Sequence, residues 1–371
     1  MTKSSPGPRA ARRARQRNTA MGCASVDRPL LSFIVIAYNQ EAYIRSAVQG
    51  ALSQTYSPVE IILSDDASSD GTFRVMAEMA ADYQGPHAIR LNHNDHNLGI
   101  GDHVNRVMAM AQGQVVVIAA GDDISVPDRT ERLWRVFQQA PGEIMSVYSS
   151  FGIIDEEGRR TSLVRRPAPR KGGPVETCLR QTRVFGCSHA WHRRVFEVFG
   201  PLLPGTVYED QTIAFRSALL GRIEYLDEPL VLYRKHAGNI TSLVASEAPD
   251  EAARQHMDKR LSRRLMMYRN HLDALQHPGA PFRMDADLRQ SLASHIQTRV
   301  AELELDIAFL RGTRRERLAV IRKGLSQGIA PAVLMRWAVG LVYPYDLVRV
   351  RKKMQRARKA QGNGRSADPI T

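Results

Sequence analysis

The chain has 371 residues, of which 43% are hydrophobic, so it can form one large domain with an appendage around a sizeable core. Its formal charge of +14 lies at the two ends: residues 1–28 carry a net charge of +6 and residues 349–371 a net charge of +7, which leaves only +1 between them. This distribution argues against a nucleic-acid-binding core and favours basic tails that contact an anionic surface.

The cysteines and the apolar segments indicate a cytoplasmic protein. Cys23, Cys178 and Cys187 include no CxxC pair, and an odd number forms no disulfide framework. The basic start has no apolar segment after Arg12-Arg13, so we expect no secretion signal. No run approaches about 18 apolar residues, so we expect no membrane-spanning helix.

Residues 1–28 are rich in Arg, Ala, Ser and Pro without periodicity, which predicts disorder. Strand-like and helix-like segments then alternate. The predicted strands are Leu31–Ala37, Glu60–Ser64, Ala88–Asn92 and Gln114–Ala119, and the helices that follow them are Glu41–Gln54, Asp70–Tyr83, Ile100–Ala111 and Pro127–Gln139. Repeated βα units of this length predict a parallel sheet with crossover helices.

The alternation is less regular in the second half of the chain. The predicted strands there are Ile144–Phe151, Val184–Ala190, Arg222–Leu226 and Leu230–Arg234, with a turn at 155–158, a loop at 165–174 and helices at Arg193–Phe199 and Glu209–Leu220. Residues 246–275, 285–325 and 331–357 are helical by composition. We therefore predict four regions: a disordered tail (1–28), an α/β domain (29–242), a helical C-terminal region (243–348) and a disordered basic tail (349–371).

Polar clusters follow several predicted strands at their carboxyl ends, where open α/β sheets bind ligands. After the apolar run 115–120, Gly121 precedes Asp122 and Asp123. Adjacent carboxylates repel each other, and a divalent cation that also binds phosphate oxygens would compensate this repulsion. The alternative is a solvated turn, for which Gly-Asp is also typical. Acids before a helix also act as N-terminal caps. Capping explains Asp70, and it remains an alternative explanation for Glu209.

Seven runs in this order and spacing resemble family 2 glycosyltransferases of the GT-A fold. They cover roughly residues 30–242 and are LSFIVIAYNQE (31–41), ALSQTY (51–56), VEIILSDDASSDGT (59–72), NLG (97–99), AAGDDISVPD (119–128), YEDQ (208–211) and LVLYRKH (230–236). The resemblance implies a Rossmann-like, mostly parallel α/β sheet with flanking helices and a C-terminal helical appendage. It also implies transfer of a sugar from a nucleotide-sugar, with inversion at the anomeric carbon.

The resemblance implies a donor site at the ends of the first strands. The residues it assigns to the nucleotide-sugar, with a UDP-sugar expected, are Ala37, Tyr38, Asn39, Glu41, Asp65, Asp66, Asn97, Gly99, Asp122 and Arg234. The Tyr38 ring can stack on a base, and a carboxylate can accept a hydrogen bond from a base N–H, so the assignment is chemically sensible.

The metal motif of the family is Asp-x-Asp, and this sequence has Ala120 at the first acid. The resemblance then implies that Asp123 contacts Mn²⁺ or Mg²⁺ and that Asp122 contacts the ribose or a metal-bound water. His236 is a candidate metal or diphosphate ligand, and a structural role for it stays open.

The Glu209-Asp210 pair resembles the family's Glu-Asp motif, which implies that Asp210 is the catalytic base and Glu209 its orienting neighbour. The acceptor region of such enzymes corresponds to residues 186–191. His189 and Trp191 are candidate acceptor contacts, although Trp191 is equally explained as a core residue.

The Gln-x-x-Arg-Trp signature of processive polymerases is absent, which favours addition of a single sugar to a saccharide or lipid-linked acceptor. The apolar run 332–343 precedes the basic residues 349–353, which is typical of a helix lying on the inner face of an anionic membrane. A helix packed on the core followed by a solvated tail explains the same run.

Two other functions stay open. A nucleotidyltransferase uses a similar sheet, acids and metal, but no Gly-rich phosphate loop with a lysine follows the first strand. A binding or scaffold protein that has lost activity is favoured by Ala120 and by Ile36, where proline is common in the family, and disfavoured by Asp123 and Asp210.

Overall fold

The computed structural model describes residues 28–165, 173–179, 184–236, 238–239, 250–326 and 337. Several predictions fall outside these residues: the disordered tail at 1–27, most of the loop at 165–174, the boundary at 242, the helix at 331–357 apart from Trp337, and the basic tail at 349–371.

The first half of the chain forms the predicted parallel sheet. Strands β1 (Leu31–Ala37), β2 (Val59–Asp65), β3 (Ala88–His93) and β4 (Val115–Ala120) lie in the order β3-β2-β1-β4, and helices α1 (Glu41–Leu52), α2 (Thr72–Ala81) and α3 (Ile100–Met110) connect them. Along β1, Phe33 and Val35 pack into one core and Ile34 and Ile36 into the other. A strand covered on both faces explains the continuous apolar run, and the predicted fold class is confirmed.

The second half extends the sheet with mixed polarity. Its elements are β5 (Ile124–Ser125), α4 (Arg129–Phe137), β6 (Ile144–Ile154), β7 (Arg160–Val164), α5 (Pro174–Leu179), a 3₁₀ turn (Gly186–Ser188), β8 (His189–His192), α6 (Arg194–Phe199), α7 (Glu209–Leu220) and β9 (Arg222–Arg234). Strand β8 runs antiparallel to β4 and β6, and the described strands follow the order β3-β2-β1-β4-β8-β6-β9-β5, with β7 paired to β6.

Two strand predictions in this half are wrong. The two predicted closing strands are one strand, β9, because its parallel pairing with β6 continues past Pro229 through a shift in register. The predicted strand at 184–190 begins only at His189, because the chain first forms the turn at Gly186–Ser188.

The C-terminal region is helical as predicted, with α8 (Asp250–Gln276), α9 (Ala286–Arg311) and α10 (Arg314–Ser326). The predicted single helix at 285–325 is wrong, because α9 ends before Gly312 and α10 has its own start signal. There Glu316 accepts hydrogen bonds from the Thr313 N–H (2.7 Å) and hydroxyl (2.8 Å), which resembles a capping box. No helix among the described residues is long and apolar enough to cross a membrane.

Helices α8 and α9 share a core with the sheet. Leu275 of α8 and Ile296 of α9 belong to the same buried cluster as Phe215 of α7 and Val116 of β4. The helical region therefore packs on the side of the sheet from which α7 carries Asp210.

Candidate active site

Hydrogen bonds join the loops after β1 and β2 into one surface. Asn39, with a φ of 52°, accepts a hydrogen bond from the Ser69 N–H (2.8 Å), and its own N–H donates to the Ser68 hydroxyl (2.8 Å). Glu41 accepts from the Gly71 N–H (2.9 Å). Asn39 and Glu41 therefore stabilise the shape of the predicted donor surface through their side chains.

The other predicted donor residues border this surface. Tyr38 is 48% exposed, which leaves its ring accessible, whereas Ala37 is buried and accepts the Asp66 N–H through its carbonyl (2.9 Å). Asn97 is exposed, and Gly99 has a φ of 78°, which favours glycine at the start of α3.

Asp65 and Asp66 are buried at the end of β2, and the protein engages both carboxylates. Asp65 accepts from the Ser68 N–H (2.8 Å) and from the His93 ring (2.9 Å). Asp66 accepts from the two successive N–H groups of residues 98–99 (2.9 and 3.0 Å). A contact with a base or a ribose would use the remaining lone pairs of these oxygens, in addition to the bonds that hold the loops.

The Asp122-Asp123 loop follows β4, beside β1, so it lies at the same edge of the sheet. Asp122 accepts hydrogen bonds from His236 Nε2 (2.9 Å) and Asn239 Nδ2 (3.1 Å). Asp123 accepts from the Arg234 N–H through Oδ1 (2.9 Å), while its Oδ2 is buried without a hydrogen-bond partner among the described residues. Burial and the charge of Asp122 raise the pKa of Asp123 well above its ordinary value.

Arg234, predicted to contact the donor, is buried and directed at backbone carbonyls. Its guanidinium donates to the carbonyls of Asp122 (3.0 Å) and Glu156 (2.8 Å), and it lies over the Tyr43 ring at 4.9 Å. These contacts indicate that Arg234 holds the acidic loop against the loop after β6.

Arg129 is a residue that the sequence reasoning missed. It is fully buried and donates to the Ile118 carbonyl (2.8 Å) and the Ser125 hydroxyl (2.9 Å), and burial lowers its pKa to about 10. Its charge acts on Asp123. The sequence held a signal, because Arg129 stands on the apolar face of α4, four residues before Leu133.

Glu209 and Asp210 begin α7 and form a half-buried pair. Asp210 accepts hydrogen bonds from the Gly186 N–H (3.2 Å) and the Gln211 N–H (2.7 Å). Burial raises the pKa of Asp210 to about 6. Burial and the charge of Asp210 raise the pKa of Glu209 well above its ordinary value.

Cys187 connects this pair to the acidic loop. Its half-buried thiol feels the charges of Asp122, Asp123, Asp210 and Arg129, and burial raises its pKa well above the ordinary value. The charges of the predicted metal-binding acids and of the predicted base thus act on the same side chain. Sequence reasoning placed Cys187 near the acceptor region but gave it no role.

The two candidate acceptor residues lie inside the core. His189 is 0% and Trp191 is 1% exposed, and their rings lie 5.2 Å apart. His189 bonds to the Ser146 hydroxyl, and burial lowers its pKa to about 3. Trp191 is therefore a core residue, which is one of the two roles that its sequence context allowed.

The acids fit a divalent ion that takes few protein ligands. Among the described residues, no three His, Cys, Asp or Glu side chains are grouped closely enough to form a cage. The unpartnered Asp123 Oδ2 is a buried carboxylate oxygen of the kind that such an ion binds. Mg²⁺ in particular often binds one or two carboxylates and completes its shell with phosphate oxygens and water.

Comparisons with known proteins place a large part of the chain beside glycosyltransferases. Residues 32–199 match the family model described as "Glycosyl transferase family 2". The chain is 29% identical over 231 residues to the "Uncharacterized glycosyltransferase alr2836" of Nostoc sp., which covers 60% of this chain and 70% of that protein. It is also 29% identical over 212 residues to "Uncharacterized protein Rv1520" of Mycobacterium tuberculosis, and this alignment covers 57% of this chain and 60% of that protein.

The crystal structure of S. aureus TarS residues 1–349 in complex with UDP aligns with a TM-score of 0.53 at 13% identity, over 88% of this chain and 91% of that one. This alignment shows that the chain has the GT-A fold. The match to glycosyltransferase family 2 lies in residues 32–199, within the region whose sequence resembles that family.

Proposed function

We propose that this glycosyltransferase moves a single sugar from a nucleotide-diphosphate sugar to a glycan or lipid-linked acceptor in cell-surface polysaccharide synthesis, with inversion. The observation that carries the proposal is Asp210, a half-buried carboxylate at the start of α7 that accepts a hydrogen bond from the Gly186 N–H, next to the Cys187 thiol on which the charges of Asp122 and Asp123 also act. Inversion in one step needs a single carboxylate that removes the acceptor proton on one side of the sugar while the diphosphate departs on the other.

Asp210 is suited to act as that base. With a pKa of about 6 it is ionised at neutral pH, yet it is more basic than an ordinary aspartate. The N–H groups of Gly186 and Gln211 orient its carboxylate, so an oxygen can face the hydroxyl of the acceptor. The pKa of Glu209 is also raised, by burial and by the charge of Asp210.

The surface formed by the loops after β1 and β2 would hold the nucleoside. The exposed Tyr38 ring offers a stacking surface for the base, and Asp65 and Asp66 fix the backbone around it. UDP-sugars are the first donors to test, because a protein of the same fold, S. aureus TarS, was crystallised with UDP.

Asp123, with Asp122 and His236 beside it, would hold a Mn²⁺ or Mg²⁺ ion together with the donor diphosphate. Such an ion supplies positive charge to the departing nucleoside diphosphate, so no protein acid is needed there. Arg129 lies beneath the loop and offsets part of the repulsion between Asp122 and Asp123.

A donor panel tests the proposal. The full chain is incubated with UDP-, GDP- and dTDP-sugars and Mn²⁺, and nucleotide release and thermal protection are measured. We expect one nucleotide class to be hydrolysed and to protect the chain in a metal-dependent way. Absence of both effects across the whole panel would contradict the proposal.

We also propose peripheral contact with an anionic membrane through the basic tail at residues 349–371, which lies outside the described residues. The support is its net charge of +7. Flotation with vesicles containing anionic lipid should retain the full chain and lose a variant that lacks the tail. Equal flotation of the two forms would contradict it.

A further inference from the structure

The segment Gly200–Tyr208, which the structure describes in full, leads directly into Asp210 and has no helix or strand of its own. Its course is set by the elements that it contacts. On one side α3 holds it: Asn105 bonds to both the carbonyl (2.9 Å) and the N–H (2.7 Å) of Leu202, and Asp102 accepts from the Gly205 N–H (3.0 Å).

On the other side, Asn270 of α8 holds the same segment. Asn270 is 0% exposed, and its Oδ1 accepts the Leu203 N–H (3.0 Å). Its Nδ2 donates to the Thr206 hydroxyl (2.8 Å) and to the Met266 carbonyl within α8 (3.0 Å). The amide thus fixes Leu203 and Thr206, and Thr206 stands four residues before Asp210.

His271, the residue after Asn270, contacts α7 on the C-terminal side of Glu209 and Asp210. His271 is buried, and its ring stacks on Phe215 of α7 with a centroid distance of 4.1 Å and an interplanar angle of 26°. It also bonds to the backbone of Gln211, the residue after Asp210. Two successive residues of α8 therefore hold the chain before and after the catalytic pair.

We propose that Asn270 is a positioning residue for catalysis: by fixing Leu203 and Thr206 to α8, it holds the start of α7 so that Asp210 keeps its half-buried position, aimed at the acceptor. This role rests on the proposed function of Asp210 as the base. A carboxylate that is partly removed from water favours any movement that hydrates it more fully, so the surrounding structure must enforce its partial burial. A misplacement of about 1 Å can reduce turnover by about 10²-fold.

The first test compares Asn270→Ala with Leu261→Ala. Leu261 is buried on the same helix, nine residues before Asn270, and belongs to the same core, but its side chain has no hydrogen-bonding group, so its substitution controls for general loss of packing. With UDP-GlcNAc and Mn²⁺, we expect Asn270→Ala to lower kcat for hydrolysis at least tenfold with little change in KM, at a temperature where both variants are folded. We expect Leu261→Ala to change kcat less than threefold. Equal losses of kcat would overturn the proposal.

A second test needs no turnover. Asp210→Asn removes a partly buried charge, so at pH 8 it should raise the Tm of the parent chain. If Asn270 enforces that burial, the same substitution should raise the Tm by less than half as much in the Asn270→Ala background, and by an unchanged amount in the Leu261→Ala background. Equal gains in all three backgrounds would overturn the proposal, whether or not UDP-GlcNAc is a substrate.

Thr206→Val provides the same comparison if Asn270→Ala does not fold. It keeps the side-chain volume but removes the hydroxyl to which Asn270 donates, and we expect the same reduced gain in Tm. The parallel measurement of Asp210→Asn alone separates the two proposals. If that variant keeps its activity, the assignment of the base fails, whereas a reduced Tm coupling would still support the positioning by Asn270.

Discussion

At the scale of single residues, the base depends on the surroundings of two adjacent acids. Burial raises the pKa of Asp210 to about 6, while the N–H groups of Gly186 and Gln211 favour its ionised form. Burial and the charge of Asp210 raise the pKa of Glu209 well above its ordinary value. Asp210 is therefore ionised at neutral pH and more basic than an ordinary aspartate, as a general base requires.

Asp210→Asn should lower turnover by about 10²-fold or more, since a positioned base contributes that much, while binding of nucleotide with Mn²⁺ stays unchanged. In the parent chain, kcat should fall as the pH drops through about 6, because Asp210 then becomes protonated. Stopped assays between pH 5 and pH 8 measure both effects. An acid limb that persists in an active Asp210→Asn variant would contradict the assignment.

The same substitution should affect stability in a definite direction. Folding raises the pKa of Asp210 from 3.8 to about 6, so the fold prefers its protonated form. The stabilising contribution is present below pH 4 and is lost as the pH rises towards 6. Urea unfolding should therefore find Asp210→Asn more stable than the parent chain at pH 8, by on the order of 2 kcal/mol, and equally stable near pH 4. Glu131→Gln, a partly exposed acid on α4, serves as the control.

Asp123→Asn should remove the metal-dependent part of nucleotide binding. The unpartnered Oδ2 of Asp123 is the group that we assign to the ion, and an amide is a poor ligand in its place. Thermal shifts with UDP should rise on addition of Mn²⁺ and fall with EDTA in the parent chain, but should be the same in both conditions in the variant. Asp128→Asn, at an exposed salt bridge with Arg132, should behave as the parent chain. A variant that still responds to Mn²⁺ would contradict the metal assignment.

The sequence predicted which acids lie at the carboxyl edge of the sheet, because a strand followed by carboxylates is a local pattern. It could not predict how each carboxylate is engaged. Asp66 bonds to the backbone at 98–99, 32 residues further on, and Arg234 reaches Asp122 across 112 residues. Such partners depend on the tertiary packing. Arg129 and Cys187 were missed for the same reason.

At the scale of elements, Asp66 couples the end of β2 to the start of α3. Its carboxylate accepts three hydrogen bonds from residues 94–99 and is almost fully buried. Asp66→Ala should destabilise the chain by about 3 kcal/mol, because buried N–H groups lose a charged acceptor, and should weaken nucleotide binding through the loosened loop. Urea unfolding and UDP titration measure the two effects. The exposed Asp95 lies in the same loop, so Asp95→Ala should change neither, and an equal effect of both variants would contradict the coupling.

The strands of the first half were predictable because they are buried on both faces and read as uninterrupted apolar runs. The course of strand β9, in the second half of the sheet, was not predictable in this way. Strand β9 continues through Pro229 because a shift in register absorbs the proline, and no local pattern shows that β6 will accept it. The break between α9 and α10 is different, because Gly312 and the Thr313–Glu316 spacing form a local stop and start signal that the predicted helix at 285–325 overlooked.

At the scale of the whole molecule, the helical region and the sheet are one folding unit. Leu275 and Ile296 bury the same cluster as Phe215 and Val116, and Arg216 of α7 is buried between the segment before it and α8. Removing α8 and α9 would expose this apolar surface and leave the loop before Asp210 without Asn270. We therefore expect the family domain to depend on its C-terminal helices.

A chain that ends at residue 242 should consequently fail to form a compact native state, although it contains every residue assigned to donor, metal and base. The full chain should unfold in one cooperative transition in urea, followed by circular dichroism and by tryptophan fluorescence, because a shared core melts together. The truncated chain should show a shallow transition and bind a dye for exposed apolar surface. A control that ends at residue 348 keeps α8 to α10 and should behave as the full chain. A cooperative, nucleotide-binding chain of residues 1–242 would show that the sheet is stable alone and that the shared core is dispensable.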